Sequence, residues 1–518
     1  MSFELERESI RIYEPLKAAN VKAVVDTDII VPDTKPDVLN ILEVNAMSSI
    51  SEKHVQKDKI RVLGNVDYTV LYSGGDEAIE IKSIKYKVPF TEEIAVEGID
   101  DGMYNYVISS ISHVESKIQN SRKINIKSVV SFDTCAASRK LANSVCAVES
   151  SIKLPQKRDN INVLDMTVCS ESTFFVSDEL KFSETSAAVD EILKNDVSLE
   201  SREVKTMNNK VVVKGSVITN TLYTSDGELY HVKNETPFTE VIDAEGLTPE
   251  MHTEIKYNVH SAEYELNSDD SSYYIGFTGS IDVLIKAYEE NSYNIITDAY
   301  CPDFETEIMR EIHAVRNVDE SFKESFATNE TVSLAESMPG IVKVYNLIVN
   351  PNIDSVAAMD GYAMIDGYLD AKILYLSDST SFPVYAANKK IPFSLRLNNK
   401  RITPDSLIDT EVCLEHSSYV LKSESDIEVR TALKAEGKII SQSPIELISD
   451  ISIKEDMPLK KENQPGIVIY FADENEELWD IAKRYHTTTD ELAAINSIEE
   501  DAVLSKRQQL VIPKRLVI

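Results

Sequence analysis

Hydrophobic and polar residues alternate along most of this chain with the two-residue period of half-buried β-strands, and the pattern itself recurs. Val66, Tyr68, Val70 and Tyr72 occupy every second position, and Ser73-Gly74-Gly75-Asp76 then breaks the run as a hairpin turn would. Aligning KIRVLGNVDYTVLY (ending at Tyr72), KVVVKGSVITNTLY (Tyr223) and AMIDGYLDAKILY (Tyr375) places Gly64, Gly215 or Gly367 eight residues before each tyrosine. These glycines are 151 and 152 residues apart. A second landmark follows: VPFTE at 88–92, TPFTE at 236–240 and IPFS at 391–394 put a phenylalanine 18, 15 and 18 residues beyond the tyrosine. A third, the apolar segments at 38–42, 189–193 and 341–345, starts 26 residues before each glycine. Three landmarks in register three times define an internal repeat.

Each repeat is long enough, at about 150 residues, to bury a core of its own. The turn recurs in the second copy as Thr224-Ser225-Asp226-Gly227, and further strands are expected at 106–111, 125–132, 273–287 and 427–435. The segment 38–42 reads as a short helix, because it follows Pro36 and is apolar at 38, 41 and 42. The expected fold is therefore mainly β: three tandem sandwich-like or barrel-like modules with one or two short helices, at residues 1–160, 161–313 and 314–453. A charged segment with two prolines, 454–466, reads as a linker.

The last fifty residues have a different period. Leu478, Ile481, Ala482 and Tyr485 recur at i, i+3, i+4 and i+7, one face of a helix. Thr488 and Glu491 form a capping-box pattern ahead of Leu492 and Ile495, which marks a second helix. Short apolar strands at 467–471 and 509–512 flank the pair, and a two-stranded sheet covered by two helices is the compact solution for residues 467–518.

LWDIAKRY (478–485), TTTDELAAIN (487–496) and LSKRQQLVIP (504–513), in that order, resemble a LysM domain. The repeats, with their Gly-to-Tyr and Pro-Phe-Thr-Glu landmarks, resemble SPOCS modules of spore-coat-associated proteins, and three of them before a LysM resemble the SipL family of spore morphogenesis proteins. That resemblance implies a non-enzymatic mother-cell scaffold with protein partners: a SpoIVA-like coat ATPase bound through the LysM, and other coat or engulfment proteins. It also implies a location at the forespore surface.

Departures from the LysM pattern bear on the ligand. Where the family carries Gly-Asp-Thr this chain has Asn475, Glu476 and Glu477, and where it carries Pro-Gly this chain has Lys506 and Arg507. In the family those loops form a groove for N-acetylglucosamine glycans, partly through backbone that glycine leaves accessible. Asp473, Glu474, Glu476 and Glu477 add charge there, so the groove is expected to serve a protein surface. The alternative is a peptidoglycan-binding, wall-associated protein whose loops keep their shape with Asn in the left-handed region. Trp479 is the sole tryptophan and lies one position off the core stripe, in line with Lys483 and His486. It reads as an interface anchor, with Ile467 extending the apolar face and Lys483, Arg484, Lys506 and Arg507 steering an acidic partner. A purely structural role for Trp479, covering the edge of a small core, stands beside that reading.

Composition narrows the partners. With 87 acidic against 53 basic residues the formal net charge is −34, which disfavours nucleic acid and anionic lipid. No run of eighteen apolar residues is present, so no membrane span is expected, and MSFELERESIRIYEP lacks the basic start and apolar core of a signal peptide, so a cytoplasmic location is expected. Five scattered cysteines without a CxxC pair read as reduced, mostly buried thiols. Eight dispersed histidines without HExxH, and no P-loop, GxSxG or GxGxxG pattern, leave no expected catalytic residue, metal or cofactor.

Overall fold

Strict alternation gives each strand one apolar face, and in every repeat two such faces close on each other as a β-sandwich. The structure, a computed structural model, describes residues 3–75, 80–182, 189–268, 273–379, 383–459, 467–499, 504 and 507–513. In the first repeat β1 (Phe3–Leu16) and β2 (Lys22–Ile30) lead into a meander of β3 (Val38–Gln56), β4 (Lys59–Gly74) and β5 (Glu80–Ala95), and the hairpin β6 (Tyr104–Asn120) and β7 (Lys123–Ser150) completes it. The second repeat has one leading strand, β8 (Gln156–Lys181), then β9 (Val189–Met207), β10 (Lys210–Ser225), β11 (Glu228–Asp243), β12 (His252–Ser268) and β13 (Tyr273–Ala299). The third has β14 (Phe304–Ser333), β15 (Ile341–Met359), β16 (Tyr362–Ser377), β17 (Val384–Asn398), β18 (Leu407–Leu421) and β19 (Asp426–Pro458). The meander is one sheet. In the other, the last strand lies between the leading strand and its hairpin partner, as in the orders β12-β13-β8 and β14-β19-β18.

The landmarks that define the repeat meet in space. Gly64, Gly215 and Gly367 lie directly across the ladder from Phe90, Phe238 and Phe393. On the other side of each glycine the register slips, between Ile50 and Glu52, Ser201 and Glu203, and Ile353 and Ser355, as a β-bulge brings the neighbouring strand close. A Cβ on these glycines would sit 2.3, 2.4 or 2.2 Å from the carbonyl oxygen of Ser49, Glu200 or Asn352, and under the phenylalanine ring. Only glycine leaves room for both neighbours. Tyr72, Tyr223 and Tyr375 are buried, and the hydroxyls of Tyr72 and Tyr375 donate to the carbonyls of Pro36 and Pro339, both at 3.1 Å. The turn at Asp226-Gly227 has positive φ at both residues, the type I′ geometry of a two-residue hairpin.

The 38–42 segment is strand, and no helix occurs among the described residues of the repeats. Two register shifts fall within these five residues, after Val38 and after Ile41, so the apolar spacing of a helix arises from a doubly bulged strand. The same double shift opens β9 and β15. It turns the equivalent residues Leu42, Leu193 and Tyr345 into one cluster with Leu71, Leu222 and Leu374, and with Ile81, Leu229 and Val384. Three positions from each of three modules thus meet at an approximate threefold axis within a single chain.

The leading and final strands run far beyond their sandwiches. At 26 to 33 residues for β7, β8, β13, β14 and β19, they extend as three two-stranded ribbons: β1 with 136–150, β8 with 288–299, and β14 with 440–458. These ribbons pack on one another around the same axis. Ile10, Ile12 and Ala142 of the first meet Val163 and Ile295 of the second and Val315 and Leu447 of the third, and Val145, Ile296 and Ile448 form a further layer. Each module also keeps its own core, around Val70 and Ile124, Val211 and Phe277, and Ile373 and Val429. Because β8 and β14 run across residues 160 and 313, we propose that the modules divide instead near 150–156 and 299–304.

The C-terminal domain is a βααβ unit of β20 (Ile467–Ala472), α1 (Leu478–Arg484), α2 (Thr489–Asn496) and β21 (Gln508–Pro513), with β20 and β21 antiparallel. Leu478, Ile481, Ala482, Leu492, Leu510 and Ile512 fill its core. Thr488 is the N-cap of α2 without a side-chain cap bond, its hydroxyl instead accepting from Lys153 at 3.2 Å; Glu491 takes the Thr487 hydroxyl. Of the expected linker, residues 454–458 continue β19, and 460–466 lie outside the described residues. No described helix is long and apolar enough to cross a membrane.

Candidate functional site

α1 presents its core stripe to β20 and β21 and turns Trp479 and Lys483 to the ribbon of the second repeat. Asp298, near the end of β13, accepts the Trp479 indole N–H at 2.8 Å and the Lys483 ammonium at 2.6 and 2.8 Å. Arg310 of β14 also reaches this carboxylate, at 3.1 Å. Tyr300 stacks edge-on against Trp479 with centroids 5.0 Å apart, and its hydroxyl donates to the Thr487 carbonyl at 2.9 Å. Around this centre Lys157 pairs with Glu477, and Lys153 with Asp490 at 3.2 Å and Glu491 at 3.5 Å. Trp479 is buried, and what buries it is a different module. The signals for this docking, Asp298 and Tyr300, carry no motif and were not singled out from the sequence.

The other nominated residues lie elsewhere. Ile467 opens β20 and is exposed, as are Ile469 and Phe471, so one face of this strand is an apolar row in solvent. Arg484 bonds the Tyr470 hydroxyl at 2.7 Å and Glu476 at 3.2 Å. Arg507 pairs with Asp473, both well exposed, at 3.2 Å. Both cations therefore adjoin β20. Lys506 lies outside the described residues.

Family comparison agrees with this architecture. A family model described as SipL, SPOCS domain, matches residues 37–119, 188–267 and 340–422, and a LysM domain model matches 474–513. The chain carries three SPOCS domains and a LysM domain. No curated protein and no solved structure matches it. The SPOCS matches cover each meander and the strand after it, whereas the leading strands β1, β2, β8 and β14 and the whole of β7, β13 and β19 lie outside them. Together SPOCS repeats and LysM are the composition of a spore-coat morphogenesis protein, and the SPOCS family is generally non-catalytic.

Within the LysM domain the two loops expected to line a glycan groove are tied to each other. Asn475 donates its N–H to the Leu504 carbonyl at 2.7 Å, and Leu504 returns a bond to the Glu476 carbonyl at 3.2 Å. Asn475 takes the left-handed conformation, φ 68°, the backbone region that glycine favours and asparagine tolerates. Glu477, beside it, is held by Lys157 of the second SPOCS module.

Cysteines and acidic groups add no second site of this kind. All five cysteines are free thiols, and burial pushes Cys169 and Cys413 up to about 11, which keeps them protonated at neutral pH. Among the described residues Glu411, Cys413 and Glu436 bring three donor atoms within 4.8 Å of one another. Lys434 already pairs with Glu436 at 3.0 Å, so this trio reads as a charged sheet surface.

Proposed function

We propose that this chain is a non-enzymatic scaffold of the spore coat that binds a SpoIVA-like coat ATPase through its LysM domain and helps hold the coat at the forespore surface, on the mother-cell side. The observation that carries the reading is the solvent-facing row Ile467, Ile469 and Phe471, exposed by 65, 56 and 62 %. Three large apolar side chains in line on one face of a short two-stranded sheet suit a protein partner. Arg484 and Arg507 at its margin would steer an acidic surface. Trp479 and Lys483 serve this face indirectly: their bonds to Asp298 orient the domain so that β20 points outward. They reach a partner only if the domain leaves Asp298.

Support for a scaffold also comes from the body. Long ribbons and a shared axis pack the three modules against one another, which would present several surfaces side by side to partners. The competing reading is a wall-glycan binder, and the left-handed Asn475 favours it. Against it stand the loop-to-loop bonds and the Glu477 ion pair in the same region. Mixing the purified chain with the coat ATPase and, separately, with insoluble peptidoglycan tests the choice. Retention by the ATPase alone is expected; retention by peptidoglycan without ATPase binding would overturn the proposal.

A further inference from the structure

Between the sandwiches and the ribbons the approximate threefold axis opens into a cavity of about 490 Å³. Its wall is built from equivalent positions of the three modules. Two cross-strand pairs, Glu254 with Lys286 and Asp409 with Lys438, have their counterpart in the first module as Tyr106 with Cys135. Immediately after Ile12, Val163 and Val315, which pack in the shared ribbon cluster, stand Tyr13, Leu164 and Arg316, which also line the cavity. The same three positions have thus diverged into a charged side from the second and third modules and an aromatic, uncharged side from the first.

Two observations indicate an occupant. First, the cavity carries three cations, Lys286, Lys438 and Arg316, against two carboxylates, Glu254 and Asp409, in a chain whose overall charge is −34. Glu254 is shared: it pairs with Lys286 and, at 2.8 Å, with Lys438. Second, the polar groups of the wall are short of acceptors. Lys286 and Lys438 share the one Glu254 carboxylate, and the Thr134 hydroxyl has no hydrogen-bond partner. Native interiors seldom leave such groups unsatisfied unless a ligand, ion or water completes them. Apolar surface from Leu164, Tyr288, Val318 and Ile440 faces the same space. The volume is that of small-molecule pockets, and the exposed Val356 and Leu407 mark the side where it meets solvent.

We propose that this axial cavity binds a small organic carboxylate, its anionic group between Lys438, Arg316 and Thr134 and its apolar body against Tyr13, Tyr106 and Tyr288. The test is calorimetric titration of the full chain with benzoate, acetate and inorganic phosphate. Saturable binding of one benzoate per chain is expected, with acetate at least about tenfold weaker because it lacks the apolar body. Lys438→Met should weaken benzoate by about tenfold or more through loss of a charge-assisted bond. Arg316→Gln, at a half-exposed position, should do the same and decides the matter if Lys438→Met fails to fold. Absence of saturable benzoate binding would overturn the site, as would unchanged affinity in folded Arg316→Gln protein. Binding of phosphate that benzoate cannot displace would overturn the carboxylate assignment.

Discussion

Gly215→Ala isolates the contact on which each SPOCS sandwich turns. A methyl group there would lie 2.4 Å from the Glu200 carbonyl oxygen and 2.9 Å from Cζ of Phe238. Ordinary contact begins near 3.4 Å, so the carbonyl must retreat by about 1 Å or the ladder must open. Neither partner yields easily, since β9 and β11 are hydrogen-bonded to β10 along its whole length. Overpacking of this kind costs about 1–3 kcal/mol. Alanine returns about 0.5–1 kcal/mol through the lower entropy of the unfolded chain, so a net loss of about 1–2 kcal/mol is expected. Gly64→Ala and Gly367→Ala should lose similar amounts, because their carbonyl contacts are 2.3 and 2.2 Å. Urea denaturation of the full chain, read by circular dichroism, measures the loss. Phe238→Leu frees the ring side only, so the double variant Gly215→Ala/Phe238→Leu should recover little. Stability equal to the parent in all three single variants would refute the steric account, and full recovery in the double variant would assign the strain to the ring instead of the bulge.

Asp298→Ala should release the LysM domain, and because Trp479 is the only tryptophan its emission should shift to the red and become more accessible to acrylamide; unchanged emission would mean the docking does not depend on Asp298. Tyr375→Phe deletes the bond to the Pro339 carbonyl and should cost about 1 kcal/mol in urea unfolding, as should Tyr72→Phe for Pro36, whereas a neutral result would assign both rings to packing alone. Burial pushes the Glu254 carboxyl up, but Lys286 and Lys438 outweigh it and hold the carboxyl below its ordinary value. Its stabilising contribution is therefore complete above the unfolded carboxylate range, about pH 4.3, and is lost as pH falls through the lower folded value. The urea midpoint should drop more steeply with acid in the parent than in Glu254→Gln, and parallel profiles would contradict this.

Much of the fold was legible because sterics wrote it into single residues. A glycine opposite a phenylalanine and beside a bulge admits no substitute, so Gly64, Gly215 and Gly367 stood out at fixed spacing. The tail was legible through its change of period, and Thr488 and Ser497 bound α2 close to where the pattern placed it. The long ribbons were not legible. Along β19 the burial alternation falters where bulges intervene and where the strand passes from its own core to the shared axis. The apolar layers at the axis are built mostly of Leu, Ile and Val, which look like any strand interior, so three modules in a row and three modules around an axis read alike. The helix expected at 38–42 failed for the same cause, a double bulge with apolar spacing. For the candidate site, the sequence nominated Trp479 as an interface anchor and Lys483 as a steering charge for a partner protein, and could not foresee Asp298, a carboxylate 181 residues away in the chain.

The central claim is that β20 presents the partner-binding face while Trp479 holds the domain in place. Its most direct measurement is the affinity of the purified coat ATPase for the parent chain and for Ile467→Ser/Phe471→Ser, with thermal midpoint and tryptophan emission recorded on each. Both changed residues are exposed by more than half, so folding and docking should be unaffected. The account predicts a loss of affinity of about tenfold or more at unchanged midpoint and emission. Parent-like affinity in this folded, docked variant would contradict it.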